Sequence, residues 1–357
     1  MKIIAIIASG TGGHIYPALS VAKEYINLGY KILWIGTPNG LEDKIINDPE
    51  IIMEKIHSQG IRGKSFSKKI FSLLYVFKSV IQAFKIFKKY KPSMIFGFGG
   101  YVSVSSSFVG FIMSIPVILH EQNAVAGTSN KINYFFAKRV YETFPLSFDK
   151  NSSKIIHTGN PVRDSLKNLI KPENKYSSTM SLINILVMGG SQGSRYLNTT
   201  MPFAFSHFHN RNISIKHITG ANDHKIVSNK YQEYDLNAEV ITYSDNISLL
   251  YDWADLVVCR AGSTSISELA IIGRASLLVP FPYATDNHQV RNAQYLAKNT
   301  ATILLEESDD FVENYVSIIN ILLNDSKKIY SLAKNIQNVF PKDTMNNIIN
   351  DSIRFIK

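Results

Sequence analysis

Apolar residues come along this chain in short unbroken runs rather than in polar–apolar alternation, and segments of helical length separate the runs. In the first half they read KIIAII, KILWIG, IIMEKI, SMIFGF, PVILHE and RVYET; in the second, INILVMG, ISIKHIT, AEVITY, DLVVCR, ASLLVPF and ATILL. A strand that is apolar on both faces is buried on both faces, which is the pattern of a parallel sheet with helices on each side. Two such series predict an α/β chain of two Rossmann-like, doubly wound domains. The polar, irregular stretch NLIKPENKYSSTMS (168–181) follows TGNPVRD (158–164) and precedes a new strand, so the boundary is drawn after residue 163. The domains are then 1–163 and 164–340, with the closing segment 341–357 expected to pack back on the first.

Each half opens with a strand entering a glycine loop, AIIASGTGG (5–13) and ILVMGGSQG (185–193), and a third cluster, GFGG, ends the run SMIFGFGG. Open parallel sheets bind ligands beyond the carboxyl ends of their strands, so the predicted site is a cleft between the two facing halves. Glycine lets backbone approach a ligand closely, and the free amides of the following helix favour an anion. A dinucleotide is excluded at the first loop: Ile15 stands where the fingerprint needs its last glycine, and KILWIG ends without the acid that would hold a ribose. GGSQG fails the same test.

A sharper anion site lies in VVCRAGSTSISELAIIG (257–273). Hydroxyls and amides at that helix start suit a diphosphate, and Glu268 lies far enough along to accept from two neighbouring sugar hydroxyls. The competing reading is a capping box with a surface glutamate. In VPFPYATDNHQ, Asp286, Asn287, His288 and Gln289 form a polar strand-to-helix turn suited to reading sugar hydroxyls. In HEQN, His120, Glu121, Gln122 and Asn123 either contact substrate or satisfy a domain interface, with Asn123 the favoured ligand. No His-x-x-x-His, cysteine pair or Asp-x-Asp points to a metal, so none is expected and no cofactor is required.

Composition narrows the class. At 45% hydrophobic and 18% charged residues the chain reads as globular, and the single cysteine, Cys259, excludes an internal disulfide. Between Pro92 and Glu121 no Asp, Glu, Lys or Arg occurs, but Gly97, Gly99, Gly100 and Pro116 divide that stretch into strand, turn, helix and strand rather than a membrane span. Met1 and Lys2 lead straight into a strand, so no signal peptide is expected and the cytoplasm is the default compartment.

The net charge of +10 favours an acidic partner, and much of it sits in residues 61–91, which hold eight lysines, one arginine and no acid. On a helical wheel Ile70, Leu73, Leu74, Phe77, Ile81 and Phe84 share a sector that Val76, Val80 and Phe87 widen, flanked by Lys68, Lys69, Lys78, Lys85, Lys88 and Lys89. This is the pattern of an interfacial helix on an anionic leaflet, or of a core helix with a solvated lysine rim. No nucleic-acid reading module accompanies the lysines, and nucleic acid is not expected as a partner.

Taken in order, the three glycine loops, HEQNAVAG, GNPVR, GGSQG and CRAG-S-T-x-S-E followed by the Asp-to-Gln turn closely resemble the MurG family of glycosyltransferases, from the first strand to about residue 300. The resemblance implies a GT-B fold, UDP-N-acetylglucosamine as donor, an undecaprenyl-linked muramyl-pentapeptide as acceptor, inversion at the anomeric carbon, and peripheral attachment to the cytoplasmic membrane face. It also implies roles. Thr11, Gly12 and Gly13 fall on the donor-sugar and acceptor side, with His14 as the base. Asn123 falls to the donor sugar, Arg163 and Ser191 to the nucleotide and phosphates, Ser263 and Thr264 to the diphosphate, Glu268 to the ribose and Gln289 to the sugar hydroxyls. On the interfacial reading of residues 61–91, the membrane contacts are Phe77, Ile81, Lys68, Lys69 and Lys78. Ser263-Thr264-Ser265 replaces the more usual Ala-Leu-Thr, which leaves open which hydroxyl meets the phosphate. The turn PFPYATDNHQ is one residue longer than usual, which selects Gln289 over His288. The same fold also serves UDP-N-acetylglucosamine 2-epimerases and diacylglycerol glycosyltransferases, and a non-enzymatic UDP-sugar sensor would share the loops.

Overall fold

The structure is a computed structural model that describes the chain except residues 59–65, 167, 177–181, 191, 192, 210, 245 and 357, with backbone only for 66–74. It comprises two compact units, Met1–Arg163 with Pro341–Lys357, and Asp164–Phe340.

The first unit is built on seven strands: β1 (Ile3–Ile7), β2 (Lys31–Gly36), β3 (Ile51–Lys55), β4 (Met94–Gly97), β5 (Val117–Glu121), β6 (Arg139–Glu142) and β7 (Ile155–His157). They pair in the order β3-β2-β1-β4-β5-β6-β7, all parallel. Six answer to the apolar runs. The seventh, β7, was not predicted, because an edge strand of three half-buried residues leaves no apolar run to read. The helices of this half are α1 (Gly12–Asn27), α2 (Glu42–Ile45), α3 (Phe66–Tyr90), α4 (Val102–Ile112) and α5 (Thr128–Asn133). The stretch without charge resolves into β4, a glycine turn, α4 and β5, and no helix among the described residues is long and apolar enough to cross a membrane.

The alternation of β1 shows why its sequence is apolar throughout. Ile4 and Ile6 pack with Ile15, Ala18 and Val21 of α1 on one face, while Ala5 and Ile7 meet Ala83 and Phe87 of α3 and Val109 of α4 on the other. Each face is sealed, so neither set of positions can be polar.

The second unit carries β8 (Ile183–Met188), β9 (Ile213–Ile218), β10 (Ala238–Ile241), β11 (Leu256–Cys259), β12 (Ala275–Leu278) and β13 (Ile303–Leu304), paired in parallel as β10-β9-β8-β11-β12-β13. Its helices are α6 (Pro172–Lys175), α7 (Arg195–Ser206), α8 (His224–Glu233), α9 (Ile247–Trp253), α10 (Ser263–Ile272), α11 (His288–Lys298), α12 (Phe311–Asn324) and α13 (Ser326–Gln337). The last helix, α14 (Thr344–Ser352), belongs to the first unit. Its Ile348 and Ile349 enter the core beneath α1, its Asp351 pairs with Arg139 and accepts from Tyr141, and its Ser352 bonds Tyr25.

In both sheets the winding reverses beside the first strand, between β1 and β4 and between β8 and β11. Loops leaving the carboxyl ends of those strands diverge at that point and leave a crevice, which is where open α/β sheets bind ligands.

α3 separates the two readings of its sequence. Ser79, Ala83, Ile86 and Phe87 are buried, whereas Phe77, Ile81 and Phe84 are exposed, Phe77 at 66%. The sector read from Phe77, Ile81 and Phe84 is therefore the outward one, and the core is met by a second stripe roughly opposite. The side chains of Lys68 and Lys69 lie outside the described residues, as do positions 61–65 of the basic stretch; Lys78 is exposed beside Phe77.

Candidate functional site

In the first unit the reversal point brings two glycine loops together. After β1 the chain turns through Gly10 at φ +95°, and Thr11 precedes α1 in extended conformation without a side-chain capping bond. Gly12 and Gly13 are the first residues of α1, and His14 is the third. Nδ1 of His14 lies 3.2 Å from the Ser9 carbonyl oxygen. A carbonyl only accepts, so in the neutral ring Nδ1 carries the hydrogen and the lone pair sits on Nε2. That nitrogen faces the loop after β4: a Cβ on Gly99, whose φ is +118°, would stand 2.9 Å from it. Gly100, at φ +83°, packs equally closely on Ser9. GTGG and GFGG are thus one structure, and the second cluster is small because the histidine and Ser9 occupy the space its side chains would fill.

Beside this loop the guanidinium of Arg163 stacks on the Tyr16 ring, 4.7 Å from its centroid. Gly12 leaves room for the same ring, since a Cβ there would come within 3.1 Å of it.

The HEQN segment divides differently from its expectation. His120, Glu121 and Gln122 are buried within the first unit and serve its loops. His120 Nε2 donates to the Gly159 carbonyl at 3.0 Å, and burial holds its pKa down to about 4, so the ring is neutral near pH 7. Glu121 accepts from the amides of Asn123 and Gly127 and from Asn130 Nδ2 at 2.9–3.0 Å. Asn123 is the one residue of the four that is not fully enclosed. The carboxylate clamp on its backbone sets where its side chain begins.

In the second unit α10 starts where β11 ends. Gly262 is the N-cap in extended conformation and makes no side-chain cap, so amides of Ser263 and Thr264 stand at the positive end of the helix. The Thr264 hydroxyl is enclosed and has no hydrogen-bond partner. Such a hydroxyl is costly unless something arrives to bond it, which singles it out among the three candidates. Ser263 is buried, and Ser267 bonds back to the Ser263 carbonyl at 2.8 Å. Glu268 sits one turn beyond Thr264 and is 4% exposed, which removes the surface-glutamate reading; its Oε2 accepts from the Tyr251 hydroxyl at 3.0 Å. Cys259 lies below, and burial, with the Glu268 charge behind it, pushes its thiol up to about 12, so it stays protonated and takes no part as a nucleophile.

The loop from β12 to α11 presents Gln289. Its Oε1 accepts the Phe281 amide at 3.0 Å, which orients the carboxamide nitrogen away from that loop. Asp286 and Asn287 both adopt left-handed conformation, and Asn287 is the N-cap of α11. His288 turns back onto the Thr285 carbonyl. Asn292, fully buried, holds the Ala261 carbonyl at 3.1 Å and so ties this loop to the start of α10. Ser191 lies outside the described residues.

One device escaped the sequence reading. A Cβ on Gly193 would collide with the Thr219 carbonyl, and that carbonyl is held by Asn198 Nδ2 at 2.9 Å. Asn198 Oδ1 in turn meets His217 Nε2, whose ring accepts from Tyr231 on its other nitrogen. Burial pushes His217 down to about 3, so it is neutral, and the network fixes the Thr219 carbonyl against which Gly193 packs. The signal was present as a histidine inside the apolar strand ISIKHI, where a buried ring needs partners on both nitrogens.

Comparison with known proteins places these features. Residues 4–142 match the Glycosyltransferase family 28 N-terminal domain and residues 184–348 its C-terminal domain. Over 348 residues, 97% of each chain, the protein is 36% identical to the Pseudomonas syringae UDP-N-acetylglucosamine--N-acetylmuramyl-(pentapeptide) pyrophosphoryl-undecaprenol N-acetylglucosamine transferase. The chain belongs to the MurG family. The crystal structure of Acinetobacter baumannii MurG superposes with a TM-score of 0.86 at 29% identity, covering 99% of this chain and all of that one. The two parallel-sheet units are those of the GT-B fold. A Neisseria meningitidis UDP-GlcNAc 2-epimerase shares that fold at TM-score 0.68 but only 13% identity, which is likeness of architecture alone. The order of motifs that marks the family was legible in sequence; the unpartnered Thr264 hydroxyl and the Tyr251 contact to Glu268 were not.

Proposed function

We infer that the chain is an inverting glycosyltransferase of peptidoglycan synthesis, moving N-acetylglucosamine from UDP-N-acetylglucosamine to the C4 hydroxyl of the muramyl sugar of undecaprenyl-pyrophosphoryl-MurNAc-pentapeptide. The observation that carries this reading is the start of α10, where an enclosed hydroxyl without a partner, Thr264, and a buried carboxylate one turn on, Glu268, stand at the positive end of a helix. That arrangement suits a diphosphate followed by a vicinal diol.

The division of labour follows from each unit's chemistry. In the second, amides of α10 and the Thr264 hydroxyl bond the diphosphate, Glu268 accepts from the ribose hydroxyls, and Gln289 reads the sugar. In the first, Nε2 of His14 takes the proton of the acceptor hydroxyl as it attacks the anomeric carbon, while Asn123 contacts the donor sugar and Arg163 the phosphates. Bond formation to the acceptor oxygen and loss of UDP from the opposite face give inversion. Charge developing on the leaving diphosphate is met by the helix end and by Arg163, and we propose that no divalent metal is required. Transfer of labelled N-acetylglucosamine from UDP to the lipid-linked acceptor, run with a chelator present, tests the whole reading. UDP release without acceptor would point to an epimerase instead, and transfer to diacylglycerol to a glycolipid synthase.

The reading places the protein peripherally on the cytoplasmic membrane face. Ile81 and Phe84 of α3 and Ile112 of α4 line one apolar groove with Val80, Val109, Lys85 and Lys88, and Phe77 and Phe111 on the same two helices are exposed. An apolar strip of this extent edged by lysines suits an anionic leaflet. Changing Phe77 and Ile81 together to serine is expected to abolish co-sedimentation with anionic vesicles while leaving the fold intact, since both side chains are exposed. Retained sedimentation would locate the membrane face elsewhere.

A further inference from the structure

Arg260 is the first residue beyond β11 and stands two positions before the N-cap of α10, so by sequence its charge belongs to an anion bound at that helix. The structure directs it elsewhere. Its Nη1 donates to the Val279 and Pro280 carbonyls at 3.2 and 3.3 Å, and its guanidinium lies over the Phe281 ring at 5.4 Å. The same Nη1 is 2.5 Å from Oε1 of Glu307, which follows β13; this is an ion pair rather than an aligned hydrogen bond. Both side chains are largely enclosed, at 10% and 18% exposure, so the attraction is little screened by solvent.

The two carbonyls matter because of what comes next. Val279 makes the last ladder bond of its strand, to Cys259, and Pro280 has no N–H to continue it. From there the backbone is held by Arg260, and the following amide, that of Phe281, is the one Gln289 accepts. The line Glu307, Arg260, Pro280, Phe281, Gln289 thus runs from one loop at the carboxyl edge of the sheet to the next.

We propose that Glu307 is a positioning residue for sugar recognition: it holds Arg260 away from the diphosphate and against the β12–α11 loop, and so fixes Gln289 where the transferred sugar is read. This rests on the donor assignment above. It has a consequence that a merely structural ion pair lacks, because it separates the sugar from the nucleotide. With Glu307 removed, Gln289 loses its setting, while uridine and diphosphate keep Thr264, Glu268 and the α10 amides and gain a released cation.

Calorimetric titration of wild type, Glu307→Ala and Glu307→Gln with UDP-N-acetylglucosamine and with UDP tests this. In Glu307→Ala the UDP-sugar is expected to bind about tenfold more weakly, while UDP binds within about twofold of wild type or more tightly. Glu307→Gln keeps an acceptor without the charge; it is expected to fall between, and it stands in should the alanine variant fail to fold. Parallel weakening of both ligands, or no change in either, overturns the proposal. Wild type that binds neither would instead remove the donor assignment on which it rests.

Discussion

Replacing His14 by alanine is expected to lower the turnover number about 10²- to 10⁴-fold, the range a positioned general base supplies, while UDP binding stays near that of wild type. The split follows from where the side chain is. His14 belongs to the first unit and is bonded through Nδ1 to the Ser9 carbonyl, whereas the proposed nucleotide contacts on α10 and at Gln289 belong to the second. Removing it takes away a lone pair whose direction the loop has already set, and leaves the proposed nucleotide contacts untouched. A companion variant separates the base from the loop that carries it. Gly99→Ala puts a methyl group 2.9 Å from Nε2 and forces an L-residue to φ +118°, so it displaces the ring without deleting it, and it too is expected to lower turnover. Steady-state rates at saturating donor and acceptor are the measurement. Unchanged turnover in His14→Ala would remove His14 as the base, and the loop's role would then rest with Thr11 and the amides of Gly12 and Gly13.

The second large effect is expected at Glu268. Glu268→Ala removes a carboxylate assigned two hydroxyl hydrogen bonds, each of a kind worth about 1.5–3 kcal/mol, so the donor KM should rise by about 10²- to 10⁴-fold. The turnover number should change far less, because the ribose is bound equally in ground and transition states. The carboxylate also accepts from Tyr251, so part of any loss comes from leaving that hydroxyl unpaired. Tyr251→Phe measures that part, and only the excess in Glu268→Ala belongs to the ribose. A normal donor KM in Glu268→Ala would end the assignment.

These two residues show how far the sequence could be read. Twelve strands followed from apolar runs that only a doubly covered parallel sheet requires, and β7 was missed because an edge strand of three residues carries no such run. His14 stood out because it interrupts a glycine loop at a strand end, and Glu268 because it follows Gly-Ser-Thr at a helical interval. Environment was not legible in the same way. A glutamate on a helix start reads alike whether it caps, faces solvent or is buried, and the structure places this one at 4% exposure. HEQN reads as a uniform polar cluster, yet three of its members are enclosed, because β5 carries His120 and Glu121 inward and Gln122 bonds back to His120 before the chain turns out at Asn123. In α3 a wide apolar face gave no means of telling which stripe meets the sheet; packing against β1 and α4 chose Ala83 and Phe87 and left Phe77 outside.

By itself, then, the sequence determined the two α/β halves, the glycine loops at their strand ends and the order of motifs that marks the MurG family, since all of these are written as local periodicity and spacing. Only the tertiary structure decided what those residues meet. It set the Gly99 loop against His14, left the Thr264 hydroxyl without a partner and turned Arg260 from the helix start toward Glu307. Such pairings join loops that leave the same edge of a sheet but lie far apart in sequence. Strand order is fixed by the packing of whole faces, and no local stretch of residues records it.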